Sequence, residues 1–95
     1  MRNFALLYTM VDMEKNAAQR PAHIAFLKGL QAENKIRTAW KFPDYQPGLL
    51  HSVMICNADS REDVLAWFSQ DPVVQAGART IEVRDAEQGI FGDRS

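Results

Sequence analysis

Ninety-five residues with 46% hydrophobic and 24% charged side chains describe one folded domain with one hydrophobic core and no internal linker, spanning 1–95 with a core at about 4–85 and a tail at 86–95. A formal net charge of −1, with basic residues dispersed singly, lacks the footprint of a nucleic-acid or anionic-membrane binder. The single cysteine, Cys56, excludes an internal disulfide and lies in an apolar run suited to a small buried residue; no apolar stretch is long enough for a membrane span, and the chain reads as cytoplasmic.

The first strand is expected over residues 4–11, with Phe4, Leu6, Tyr8 and Met10 on one face and Ala5, Leu7 and Val11 on the other. Both faces are largely apolar, so both need cover. After a polar stretch at 14–19, Pro21 suits the first position of a helix running to about residue 34. At 100° per residue His23, Phe26, Leu27 and Leu30 form a narrow core-facing stripe with His23 at its centre.

A second strand is expected over 36–42, with Ile36, Thr38, Trp40 and Phe42 on one face and Arg37, Ala39 and Lys41 on the other. Two prolines, an aspartate and a glycine make 43–48 a loop, which could serve as a lid. The next strand, 50–57, is apolar on both faces, Val53 and Ile55 on one and Leu50, Met54 and Cys56 on the other. Ser60 followed by Asp63 resembles a capping box for a helix to about residue 69, whose apolar face carries Val64, Leu65 and Phe68.

Asp71, Pro72 and Gly77 have the chemistry of an N-cap, an N1 proline and a C-terminal glycine around one short helical turn. A last strand at 80–84 turns Ile81 and Val83 inward. The tail from residue 87 is expected to be loose unless Ile90 and Phe91 dock on a partner. The order β-α-β-β-α-β is that of a ferredoxin-like α+β fold, an antiparallel sheet with both helices on one face. Its other face would be bare, and a second copy meeting it sheet to sheet is the expected cover, a homodimer.

Six residues are candidates for a site. His23 needs a hydrogen-bond partner if it is desolvated in the core stripe, and the alternative is a satisfied structural histidine. Asp71 is a natural cap, yet if the short turn folds back beside the first helix its carboxylate could orient His23 as the partner of a general base. Arg20 could reach the same site or a ligand carboxylate. Tyr8, Trp40 and His51 could line a cleft between strands and helix. Two histidines and one cysteine give no metal-ligand spacing, and no phosphate loop or nucleophile elbow is present, so neither metal nor cofactor is expected.

Arg20-Pro21-Ala22-His23, the helix through Leu27 and Leu30, and Asp71-Pro72 followed by Ala76-Gly77 together resemble the YCII-related family, over about residues 4–84. The resemblance implies a ferredoxin-like domain that dimerises through its sheet as a dimeric α+β barrel. It also implies a histidine–aspartate pair at His23 and Asp71 with Arg20 preceding the histidine. Related barrels include isomerases and dehalogenating or ring-degradation enzymes acting on small cyclic compounds without cofactor. The family usually has glycine then proline near the end of the second strand, where this chain has Ala39, Trp40, Lys41 and Phe42, and a bulky Trp40 is expected to narrow or reshape the pocket. Two readings result: a cofactor-independent enzyme on a small cyclic or aromatic acid, with His23 as acid–base and Asp71 as its partner, or a non-catalytic dimeric module that binds a small ligand or regulates a partner.

Overall fold

The computed structural model describes residues 1–89. Along the chain lie β1 (Arg2–Met10), α1 (Met13–Ala32), β2 (Ile36–Lys41), β3 (Leu50–Ala58), α2 (Arg61–Phe68), α3 (Pro72–Gln75) and β4 (Arg79–Asp85). The strands form one antiparallel sheet in the order β2-β3-β1-β4, with β1 and β3 central. This is the ferredoxin-like α+β architecture expected from the element order.

The inner face of β1, Phe4, Leu6, Tyr8 and Met10, is fully buried as expected. It packs with Met54 and Cys56 of β3, Val83 of β4, Val64 and Phe68 of α2 and Leu30 of α1 into one core. Burial pushes the Cys56 thiol up to about 12, which marks it as a packing residue. Among the described residues no helix is long and apolar enough to cross a membrane.

Pro21 does not begin the first helix. Asp12 caps it, accepting a hydrogen bond from the backbone N–H of Lys15 at 3.0 Å, and Pro21 lies in the helix interior. The missing proline N–H would have bonded the carbonyl of Ala17, and both residues are on the exposed face, where water can take its place. The extra two turns align Asn16, His23 and Leu30, spaced by seven residues, along one buried seam. The helix ends with Asn34 at φ 60°, the N–H of Asn34 bonding the carbonyl of Gln31 and that of Lys35 the carbonyl of Leu30. The turn after α3 repeats the device with Gly77 at φ 76°, where a side chain would be strained.

Two register shifts correct the expected strand faces. Between Ile36 and Thr38 the β2–β3 pairing gains one residue on β2: Ile36 opposes Cys56, then Thr38 opposes Ile55 and Ala39 opposes Met54. Ile36, Ala39 and Lys41 therefore share the inner face, and Thr38 and Trp40 lie on the outer one with Ile55 and Val53. Trp40, 70% exposed, points away from the core and meets the cleft beside α1 only at its border, while small Ala39 faces the space beneath α1.

The second shift places Tyr8 opposite Ser52 and Thr9 opposite Leu50, leaving His51 as the extra residue on β3. Leu50 joins the outer face, away from Met54 and Cys56, and stays 43% exposed. His51 and Ser52 are both buried. The loop at 43–48 is tied to the end of β1 by Gly48 N–H to the Met10 carbonyl and Met10 N–H to the Leu49 carbonyl, at 2.8 and 2.9 Å. It forms a wall of the cleft described below and not a free flap. Past β4, the N–H of Ala86 still bonds the carbonyl of Asn3; Ile90 and Phe91, the expected docking residues, lie outside the described residues.

Candidate active site

The first turn of α3 lies against α1, and this brings Asp71 to His23 across 48 intervening steps of sequence. The His23 Nδ1 is 3.0 and 2.9 Å from the two Asp71 oxygens. Asp71 has no exposed surface, and its carboxylate also accepts from the Tyr8 hydroxyl and, at 3.2 Å, from the backbone N–H of Val73. The same carboxylate thus caps α3 and holds the imidazole, so the capping and orienting roles coexist.

The hydrogen-bond partners fix the His23 tautomer. Carboxylate oxygens only accept, so Nδ1 carries the proton and donates it to Asp71. On the other side Arg79 NH1 lies 3.3 Å from His23 Nε2, and a guanidinium only donates. Nε2 is accordingly a lone pair, held toward the cleft by a neutral ring that is 5% exposed.

Arg79 was not among the sequence candidates. It begins β4 one residue before the expected strand and shares the inward parity of Ile81 and Val83. Only 4% exposed, it donates through Nε to the Asn16 amide oxygen at 2.7 Å and lies 5.0 Å over the Tyr8 ring. Burial pulls the guanidinium below its ordinary pKa, and the neighbouring Tyr8 and Asp71 oppose that. Among the described residues no carboxylate reaches it within ion-pair distance. A buried cation so placed is a ready partner for an anion.

Tyr8 does not line the cleft, contrary to expectation. It is fully buried behind Asp71, edge-on to His23 at 5.7 Å and to Phe68 at 6.0 Å. Burial above all, and then the Asp71 charge, raises its phenol far above the ordinary value, so it remains a donor to the carboxylate.

The cleft itself, about 220 Å³, lies between α1 and the β2–β3 edge. His23, Arg79, Asn16, Arg20, Lys41 and His51 border it, with Tyr45 of the loop and Ser52. Arg20 sits at its exposed rim, and Trp40 touches it only from the edge of the sheet. His51 Nδ1 is hydrogen-bonded to the Ser52 hydroxyl at 2.8 Å, and its ring packs on Tyr45 at 4.5 Å. Burial first, then cationic Arg79 and Lys41, lowers His51 to about 4, so its ring is uncharged at neutral pH.

Three cations and two neutral imidazoles face one small space, and Asp71, the carboxylate of the network, stands behind His23. The arrangement can bind a small anion and exchange a proton at Nε2. Among the described residues no group of three or more His, Cys, Asp and Glu side chains is placed to hold a metal ion. A larger hollow of about 390 Å³ lies on the outer sheet face beside Arg37, Thr38 and Ile55, away from His23.

The fold is shared with a 5-chloro-2-hydroxyhydroquinone dehydrochlorinase of Burkholderia phenoliruptrix AC1100, solved in complex with 2,5-dihydroxybenzoquinone; the match has a TM-score of 0.73 and 22% identity and covers 95% of this chain and 99% of that one. A muconolactone isomerase matches with a TM-score of 0.69 and 19% identity, over 98% of this chain and 96% of the other. In sequence, an uncharacterized protein of Haemophilus influenzae is 39% identical over 71 residues, 68% of this chain and 72% of its own length. The protein YciI of Escherichia coli O6:H1 is 35% identical over 72 residues, covering 70% of this chain and 74% of its own length. With residues 1–87 matching the model of the YCII-related domain, the chain belongs to the YCII-related family.

Proposed function

We propose that this protein is a cofactor-independent acid–base enzyme acting on a small cyclic or aromatic acid. The observation that carries the reading is the directed lone pair of His23 Nε2, fixed in a cationic cleft by a buried carboxylate on the far side of the ring. His23 takes a proton from the ring of the bound acid, the electron pair moving onto the substrate's oxygen or displacing a leaving group, and returns the proton at another position or to solvent. Asp71 keeps the tautomer and faces the imidazolium that forms. Arg79 holds the substrate anion and, in turning to it, frees Nε2; Arg20 and Lys41 add positive charge at the rim.

The two solved neighbours act on, or are complexed with, small oxygenated cyclic compounds by their names, which suits this choice of substrate. The test is a panel of hydroxyquinones and unsaturated lactone acids incubated in D2O and followed by NMR, where proton abstraction appears as deuterium uptake or product. His23→Gln is expected to slow either by at least about a hundredfold. Unchanged rates in that variant would refute the role given to His23.

A second reading, a ligand-binding module without turnover, is favoured by one observation: among the described residues every buried side-chain polar atom has a partner without any ligand. Binding without deuterium uptake by any member of the panel would select it.

For assembly, a homodimer through the outer sheet face fits both readings. That face carries Leu7, Val53, Ile55, Leu50 and Trp40, apolar groups that nothing in a single chain covers fully.

A further inference from the structure

The cleft continues past its charged end. Beyond Ile24 and Leu27 it opens along α1 into a second hollow of about 200 Å³, walled on the sheet side by Ala39 and Met54 and bounded at the far end by Ile36. Ile24, Leu27, Ala39 and Met54 border both hollows, so the two form one groove with unlike ends. One end holds Arg79, His23 and Lys41; the other is mainly hydrocarbon, with the exposed Lys28 and Gln31 of α1 at its rim. The bulge in β2 is responsible, since it turns the small Ala39 to the inner face opposite Met54 and sends Trp40 outward.

We propose that the natural ligand is amphipathic: a cyclic or aromatic acid whose anion meets Arg79 beside His23 and whose apolar substituent, on the opposite side of the ring, runs along α1 into the Ala39–Met54 compartment. The head-group placement rests on the functional reading above; the tail placement rests on the groove's continuity and polarity. A bare ring acid would leave the hydrocarbon end wet, whereas an apolar tail of a few carbons replaces that water and is driven in by its own burial. Ala39 is then a specificity-determining residue, because the methyl group there leaves the space that a larger side chain would take.

The experiment compares benzoate, 4-ethylbenzoate and 4-butylbenzoate as probes of the intact protein by calorimetric titration, with NOEs from the ligand methyl group. Affinity is expected to rise about threefold to fourfold per buried methylene, with NOEs to the Met54 and Ile24 methyl groups. In Ala39→Leu, at an exposed edge-strand position, most of the gain of 4-butylbenzoate over benzoate is expected to disappear. Benzoate binding with no gain from the chain, or an equal gain in the variant, would overturn the tail compartment and leave the acid–base reading standing. Failure of all three acids to bind would remove the anion site, and both proposals with it.

Discussion

Arg79 and Asn16, 63 residues apart in the sequence, meet through a 2.7 Å hydrogen bond from the guanidinium Nε to the amide oxygen. The contact places Arg79 NH1 at His23 Nε2 and ties the first turns of α1 to the start of β4. Asn16 is thus a positioning residue for the cation that faces His23 Nε2.

Asn16→Leu should cost about 2 kcal/mol in urea unfolding, the size expected for a lost hydrogen bond to a buried charged group. It should also shift the 15N resonance of His23 Nε2 as Arg79 moves, whereas Asn16→Asp, which keeps the acceptor, should restore stability. Loss of less than about 0.5 kcal/mol would mean that Arg79 is held by something else.

Asp71→Asn should destabilise the fold by about 3 kcal/mol. One carboxylate oxygen accepts from Tyr8 and the other from Val73, with His23 Nδ1 within reach of both, so an amide keeps only one of the two buried acceptors and turns an NH2 toward donors on the other side. Urea unfolding measures the loss; a change below about 0.5 kcal/mol would show that the second oxygen is not needed.

Stability should fall as the pH is lowered from about 6.5 to 4, because of His51. Its folded value lies near 4, below the ordinary 6.5, so in that window the unfolded chain binds the extra proton and unfolding is favoured. The full difference is on the order of 3 kcal/mol, present above pH 6.5 and lost toward pH 4. Denaturation of His51→Gln at the two pH values should lack this component, and identical pH slopes in both proteins would show that His51 titrates normally.

Val53→Lys, on the outer face opposite Trp40, should convert a homodimer into monomers without disturbing the helix-side core. Sedimentation at micromolar concentration distinguishes the masses. A wild-type monomer under those conditions would refute the sheet-to-sheet assembly.

The element order and the inner face of β1 were legible from spacing and cap chemistry, since these are local signals reinforced by burial, whereas the contact of His23 with Asp71 was left open by the spacing and implied only by the resemblance to the YCII-related family, because 48 residues of chain separate the two. Asn16 was hidden because Pro21 looks like a helix start, and nothing in the run 14–19 shows that Asp12 caps the helix two turns earlier. Arg79 lay one residue outside the expected strand, although its parity with Ile81 and Val83 was a usable signal. Tyr8 was placed on the right face but too near the surface; its depth depends on α3 folding back above it. The bulges at Arg37 and His51 leave no mark in the alternation of side chains, because an extra residue changes the phase and not the composition.

The bulge in β2 also makes pairing register a determinant of chemistry. Were Arg37 drawn into the ladder opposite Ile55, the rest of the strand would slide by one position, Ala39 would pass to the outer face and Trp40 to the inner one: indole would enter the groove beneath α1, and the sheet's outer face would lose its largest apolar group. One unpaired residue thus governs ligand shape and self-association together, with no substitution at either surface.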